Sequence, residues 1–157
     1  MIKMISHRGN LHGPNLNKEN EPSYIQSALN MKFDVEVDVW KLPNGEFWLG
    51  HDEPQYQIST DFLRNTAIWC HAKNSEALNF FREHSNHYHY FWHQNDDYTI
   101  TSRGYIWVHS QKHLLPKSVC VLPELGVMGE IRSCSGVCSD FIEKYKYTIY
   151  ESANQPD

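Results

Sequence analysis

The amino-acid sequence predicts an α/β protein, a compact and shortened (β/α) barrel of the TIM type with a hairpin after its second strand. Strand-length apolar runs rich in Val, Ile and aromatic residues recur along all 157 residues. Helix-like segments separate several of them, and an order of strand, helix, strand implies a mostly parallel sheet. Nearly every run ends in a polar or ionisable residue, and the C-terminal strand ends are where a barrel carries its chemistry. An open dinucleotide-binding sheet is disfavoured, because His7-Arg8-Gly9 stands after the first run in place of a glycine fingerprint. A typical barrel takes about 250 residues, so helices must be clipped here or some omitted. Residues 1–157 read as a single domain.

The elements follow in order. Residues 3–6 form the first strand, and a helix over 23–31 starts after Pro22, a residue suited to a first helical turn. Residues 33–40 and 47–50 pair as a hairpin, since Pro43-Asn44-Gly45 supplies the turn chemistry between them. A strand over 67–71 precedes a helix over 75–82 that Asn74 can start. The runs 89–93, 105–109, 119–122 and 136–140 bring the barrel strands to seven, with 33–40 counted and only the hairpin's return strand, 47–50, left out. Residues 146–150 are a candidate eighth strand, the alternative being an incomplete barrel.

Composition excludes several functions. Lys and Arg number 14 against 19 Asp and Glu, and a net charge of -5 provides no positive field for nucleic acid. No apolar stretch approaches the ~18 residues of a membrane helix, so no transmembrane segment is expected. The N-terminus is broken by Lys3 and reaches His7-Arg8 at once, unlike an export signal, which with the cysteine pattern implies a cytoplasmic protein. Cys70, Cys120, Cys134 and Cys138 form no CxxC pair and read as reduced, buried thiols.

Glu36-Val37-Asp38 is the most informative triplet. Period two puts both carboxylates on one face and Val35, Val37 and Val39 on the other. If the valines meet helices, the carboxylates point inward, where two unpaired anions cost several kcal/mol and a divalent cation relieves them. A solvated edge strand is the alternative. In the next strand His71 and Lys73 share a face with Trp69, opposite Ile68, Cys70 and Ala72. His71 can ligate a metal and Lys73 can neutralise a phosphate or carboxylate; a buried structural His and a Lys leaving for solvent are the bland alternatives. His7-Arg8 and His51-Asp52 add two imidazoles and a guanidinium. His84, His87 and His89 are assigned to a solvated loop and strand entrance, and Trp92 and Trp107 are core residues or pocket walls.

The order His7-Arg8-Gly9, Glu19-Asn20, Glu36-x-Asp38, Gly50-His51-Asp52 resembles the glycerophosphodiester phosphodiesterase family of the phosphatidylinositol-phospholipase-C-like barrel superfamily. It covers roughly the first 75 residues, and Lys73 falls where that family has a strand-three lysine. The resemblance implies that His7 and His51 are the acid/base pair, that Glu36 and Asp38 hold Mg2+ or Ca2+, and that Arg8 and Lys73 support the phosphate. Glu19 resembles the family's glutamate beside the site, near the metal or holding Arg8. His71 stands where the family commonly has an acidic ligand, which implies weaker binding of magnesium or calcium or a preference for a transition metal. Beyond residue 75 the likeness is loose: Ser139-Asp140 resembles the family's final strand end, while Glu124 and residues 93–97 add polar groups at the mouth. The expectation is a metal-dependent phosphodiesterase acting on a small glycerophosphodiester-like substrate. A catalytically silent barrel binding a phosphometabolite and a metal-dependent sugar or sugar-phosphate isomerase or lyase are the alternatives.

Overall fold

The computed structural model describes residues 2–150. Ten strands form one mixed sheet: β1 (Lys3–His7), β2 (Asp34–Lys41), β3 (Phe47–Leu49), β4 (Tyr56–Ile58), β5 (Ile68–Ala72), β6 (Tyr90–Phe91), β7 (Tyr98–Ile100), β8 (Ile106–Val108), β9 (Val119–Val121) and β10 (Gly136–Ser139). The ladders β6-β5-β2-β1-β10-β9-β8 are parallel, whereas β3 and β4 add to β2 as an antiparallel meander and β7 pairs antiparallel with β8. The seven strands expected besides the hairpin's return strand are all present, as β1, β2, β5, β6, β8, β9 and β10, and β3 completes the hairpin. Two short strands, β4 and β7, add pairings that the sequence reading did not include.

Four helices sit on one side. They are α1 (Pro22–Asn30), α2 (Thr60–Leu63), α3 (Ser75–Glu83) and α4 (Ile142–Tyr150). Proline opens α1, and Asn74 caps α3 by accepting the Ala77 amide. Buried pairs at helical spacing, Ile25 with Ala28 and Ala77 with Phe81, face Val35, Val37, Val39, Ile68, Cys70 and Ala72. The helices are as short as the chain length led one to expect, since α1, α3 and α4 are each 9 residues long.

Residues 146–150, taken as a candidate strand, belong to α4 instead. The run alternates in polarity, but Ile142, Tyr145 and Ile149 pack on the same core at helical spacing, and that burial decides the conformation.

Among the described residues, none of these four α-helices contributes a side chain to the cluster on the opposite face of the sheet. Ile5, Trp69, Phe91, Trp107, Val119, Val121 and Cys138 pack against one another from six strands, with the rings of Phe91 and Trp107 4.6 Å apart. Single hydrogen bonds connect β6 with the segment around β7: Ser102 donates its amide to Tyr90 O, and Thr99 Oγ1 donates to Trp92 O. His89, expected at a solvated entrance, is 2% exposed on this second face. Its ring lies 3.9 Å from that of Trp69, because period two aligns it with Phe91 rather than with Tyr90.

Candidate functional site

Register brings the charged residues together at the C-terminal ends of the strands. His7 lies opposite Glu36 across the β1-β2 ladder, and Asp38 lies opposite His71 across β2-β5. Glu36 and Asp38 are 2% and 0% exposed, so the two carboxylates are inside. Ligand atoms of Glu36, Asp38 and His71 all fall within 4.8 Å of one another, a group that could hold a metal ion.

Asp38 is held from several sides. Arg8 Nε is 2.9 Å from Oδ2, His71 Nδ1 is 3.1 Å from Oδ1 and Lys73 Nζ is 3.5 Å from Oδ1. Asn20 clamps it by donating Nδ2–H to Oδ2 and accepting the Asp38 amide. Burial opposes ionisation of Asp38, yet the nearby His71, Arg8 and Lys73 hold its pKa far below the ordinary carboxylate range. Glu36 is different. Its carboxylate lies 3.6 Å from His71 Nδ1 and 3.9 Å from His7 Nε2, and its buried Oε2 accepts no hydrogen bond among the described residues.

His71 is fixed on both sides. Its ring stacks on Phe91 at 5.0 Å, and its Nε2–H donates to the carbonyl of His93 at 2.7 Å, leaving Nδ1 toward the carboxylates. Burial disfavours the imidazolium, but Asp38 and Glu36 outweigh it and push its pKa up to about 9 in the metal-free protein. His7 forms a dyad in which Nδ1–H donates to Asp140 Oδ1 at 2.7 Å. Here too burial opposes the charge, and Asp140 and Glu36 outweigh it to raise the pKa. His51 Nδ1 is 2.7 Å from Asp52 Oδ1 on an exposed turn after Gly50.

These groups open onto one cavity of about 250 Å³, lined among others by His7, Arg8, Glu36, His51, His71 and Lys73. Trp92 and Trp107 also line it. Glu19 stands apart from the three-residue ligand group: its carboxylate accepts from Arg8 at 3.1 Å and from Asn10 at 2.9 Å, so it holds the guanidinium. Glu124 accepts from Ser139 Oγ and the Asp140 amide and braces the His7 partner from behind.

Asn10 enters the site without having been named from the sequence, while Asp140 and His93, placed there only as strand-end polar groups, gain specific partners. A signal for Asp140 existed: if the first and last strands are neighbours, a polar residue ending each must meet its counterpart, as the Ser6–Ser139 register shows. All four cysteines are free and buried, and burial raises the thiol pKa of each. No helix among the described residues is long and apolar enough to cross a membrane. Compared with protein-family models, with curated proteins and with solved structures, the chain returns no match.

Proposed function

We propose that the sheet curls into a small barrel whose mouth is the active site of a metal-dependent phosphodiesterase acting on a small, glycerophosphodiester-like substrate. The observation that carries this is the cavity itself, which is lined by two carboxylate-braced histidines, by the basic side chains of Arg8 and Lys73, and by Glu36 and His71 of the buried ligand group. The contact of the six-strand inner face with itself supports the barrel. Glu36, Asp38 and His71 would hold a divalent ion, which would supply Lewis acidity to a phosphoryl group and to a neighbouring hydroxyl.

The chain's own groups do the rest. Asp140 and Asp52 fix the Nδ1–H tautomers of His7 and His51, so each histidine has Nε2 for proton transfer. One accepts the proton of the attacking hydroxyl while the other protonates the leaving oxygen. Arg8 and Lys73 offset the charge on the equatorial oxygens. Glu19 and Asn10 hold Arg8 and Asp140 in place.

The test is hydrolysis or cyclisation of a panel of glycerophosphodiesters, lysophospholipids and cyclic phosphates, with and without added divalent ions. Turnover that disappears on chelation and falls about 10²- to 10⁴-fold in His7→Ala and in His51→Ala, with both variants folded, supports the proposal. Phosphate-ester binding without turnover would identify a silent phosphometabolite-binding barrel. Turnover of a sugar that contains no phosphodiester would identify an isomerase or lyase.

A further inference from the structure

We propose that His71 is an inner-sphere ligand through Nδ1, so that the centre selects borderline divalent metals such as cobalt(II) over magnesium and calcium. This deepens the proposed function, on which the catalytic use of the ion rests, although the ligand assignment itself stands on geometry.

Three features support it. First, the ring cannot turn away: Phe91 covers its face, and the His93 carbonyl accepts its Nε2–H at 2.7 Å. A ligating histidine characteristically donates its other N–H to a carbonyl or carboxylate, which sets the tautomer and leaves the ligating lone pair free. Second, the opposite nitrogen faces both carboxylates, at 3.1 Å from Asp38 and 3.6 Å from Glu36. Glu36 Oε2 is buried beside them without a hydrogen-bond donor, although the protein satisfies most of its buried polar atoms. A cation seated among these three groups would provide that missing partner.

Third, the charge count disfavours hard ions. Glu36 and Asp38 contribute two negative charges, and part of that charge is already offset by Lys73 and by Arg8, which Asp38 shares with Glu19. Calcium and magnesium rely on oxygen ligands and carboxylate charge, and here that charge is partly spent on protein cations. An imidazole nitrogen binds without adding charge, and its affinity rises from manganese to cobalt and beyond along the first transition row. The one neutral ligand is therefore the one that discriminates.

The test uses the full chain and bare metal ions. In calorimetric titration, cobalt(II) should bind about 100-fold more tightly than magnesium or calcium, with manganese(II) between them. Pulsed electron paramagnetic resonance of the manganese-loaded protein should show coupling to one imidazole nitrogen. That coupling should vanish in His71→Gln, and His71→Glu should narrow the cobalt-to-magnesium ratio at least about tenfold. Magnesium or calcium within tenfold of cobalt would overturn the proposal, as would a loaded wild-type site without nitrogen coupling or coupling that survives in His71→Gln. The wild-type spectrum decides even if a variant does not fold. Nitrogen coupling and selectivity without phosphodiester turnover would sink the proposed reaction and leave the ligand assignment intact; magnesium-supported turnover without coupling would do the reverse.

Discussion

Acidification should weaken the fold through His89, a residue outside the proposed ligand group. Its imidazole is buried on the second face of the sheet against Trp69, with Nε2 2.8 Å from Thr101 Oγ1. Burial, reinforced by the positive charges of Arg103 and Lys3, pushes its pKa down to about 3. In the unfolded chain the pKa is about 6.5. Above that value both states are neutral and His89 costs nothing. As pH falls from about 6.5 toward 3, the unfolded state takes up a proton that the folded state refuses, and stability is lost throughout that window. At pH 5 the penalty is the 1.5-unit gap below the unfolded pKa, or about 2 kcal/mol.

Urea unfolding of chelated protein at pH 8 and pH 5 measures this, provided that His89→Gln is carried in parallel. Glutamine keeps a hydrogen-bonding group near Thr101 and cannot titrate. The raised pKa values of His7 and His71 act in the opposite sense in both proteins and cancel in the comparison. Wild type should lose about 2 kcal/mol more than the variant between the two pH values. Equal losses, or a His89 resonance titrating near 6.5, would refute the burial argument.

Three further outcomes are expected. Asp140→Asn should lower turnover about 10²-fold by releasing the His7 tautomer, with a much smaller effect on metal affinity; unchanged turnover in steady-state assays counts against the dyad. Lys73→Met removes a cation from beside Asp38, so calorimetry should show metal binding about tenfold tighter while turnover drops, and weaker binding would contradict the charge argument. Gly50→Ala places a Cβ against the Glu53 carbonyl oxygen at a φ of +152°, which should cost about 1–3 kcal/mol and displace His51. Chemical denaturation with parallel kinetics would test that variant, and full retention of both stability and rate would defeat it.

Periodicity made the inner site legible. Alternation in Asp34–Lys41 and Ile68–Ala72 separates valines and small residues from Glu36, Asp38 and His71, and the structure keeps that separation on every residue named. Contacts between distant segments were harder to read. Nothing local joins His71 to the backbone of His93, because that hydrogen bond depends on how far β6 runs before it breaks. The alternating polarity of 146–150 was misleading for a related reason: tyrosine and lysine stems satisfy a helix flank as well as a strand, and packing on Met4 and Val137 of the core settles the choice. His89 followed the same logic in reverse, since a histidine count says nothing about which ones are stacked on tryptophan.

The His7–Asp140 pair joins residues 133 positions apart, and this separation becomes a delay during synthesis. At about 5–20 residues per second a ribosome makes Asp140 roughly 7 to 27 s after His7. Glu36, Asp38 and His71 are all translated by the midpoint of the chain. A nascent or truncated chain would therefore contain Glu36, Asp38 and His71 before it contained the His93 carbonyl that fixes His71, and the Asp140 carboxylate would come last. On the proposed function, the metal centre and the His7 dyad would be completed as separate events in the life of each molecule.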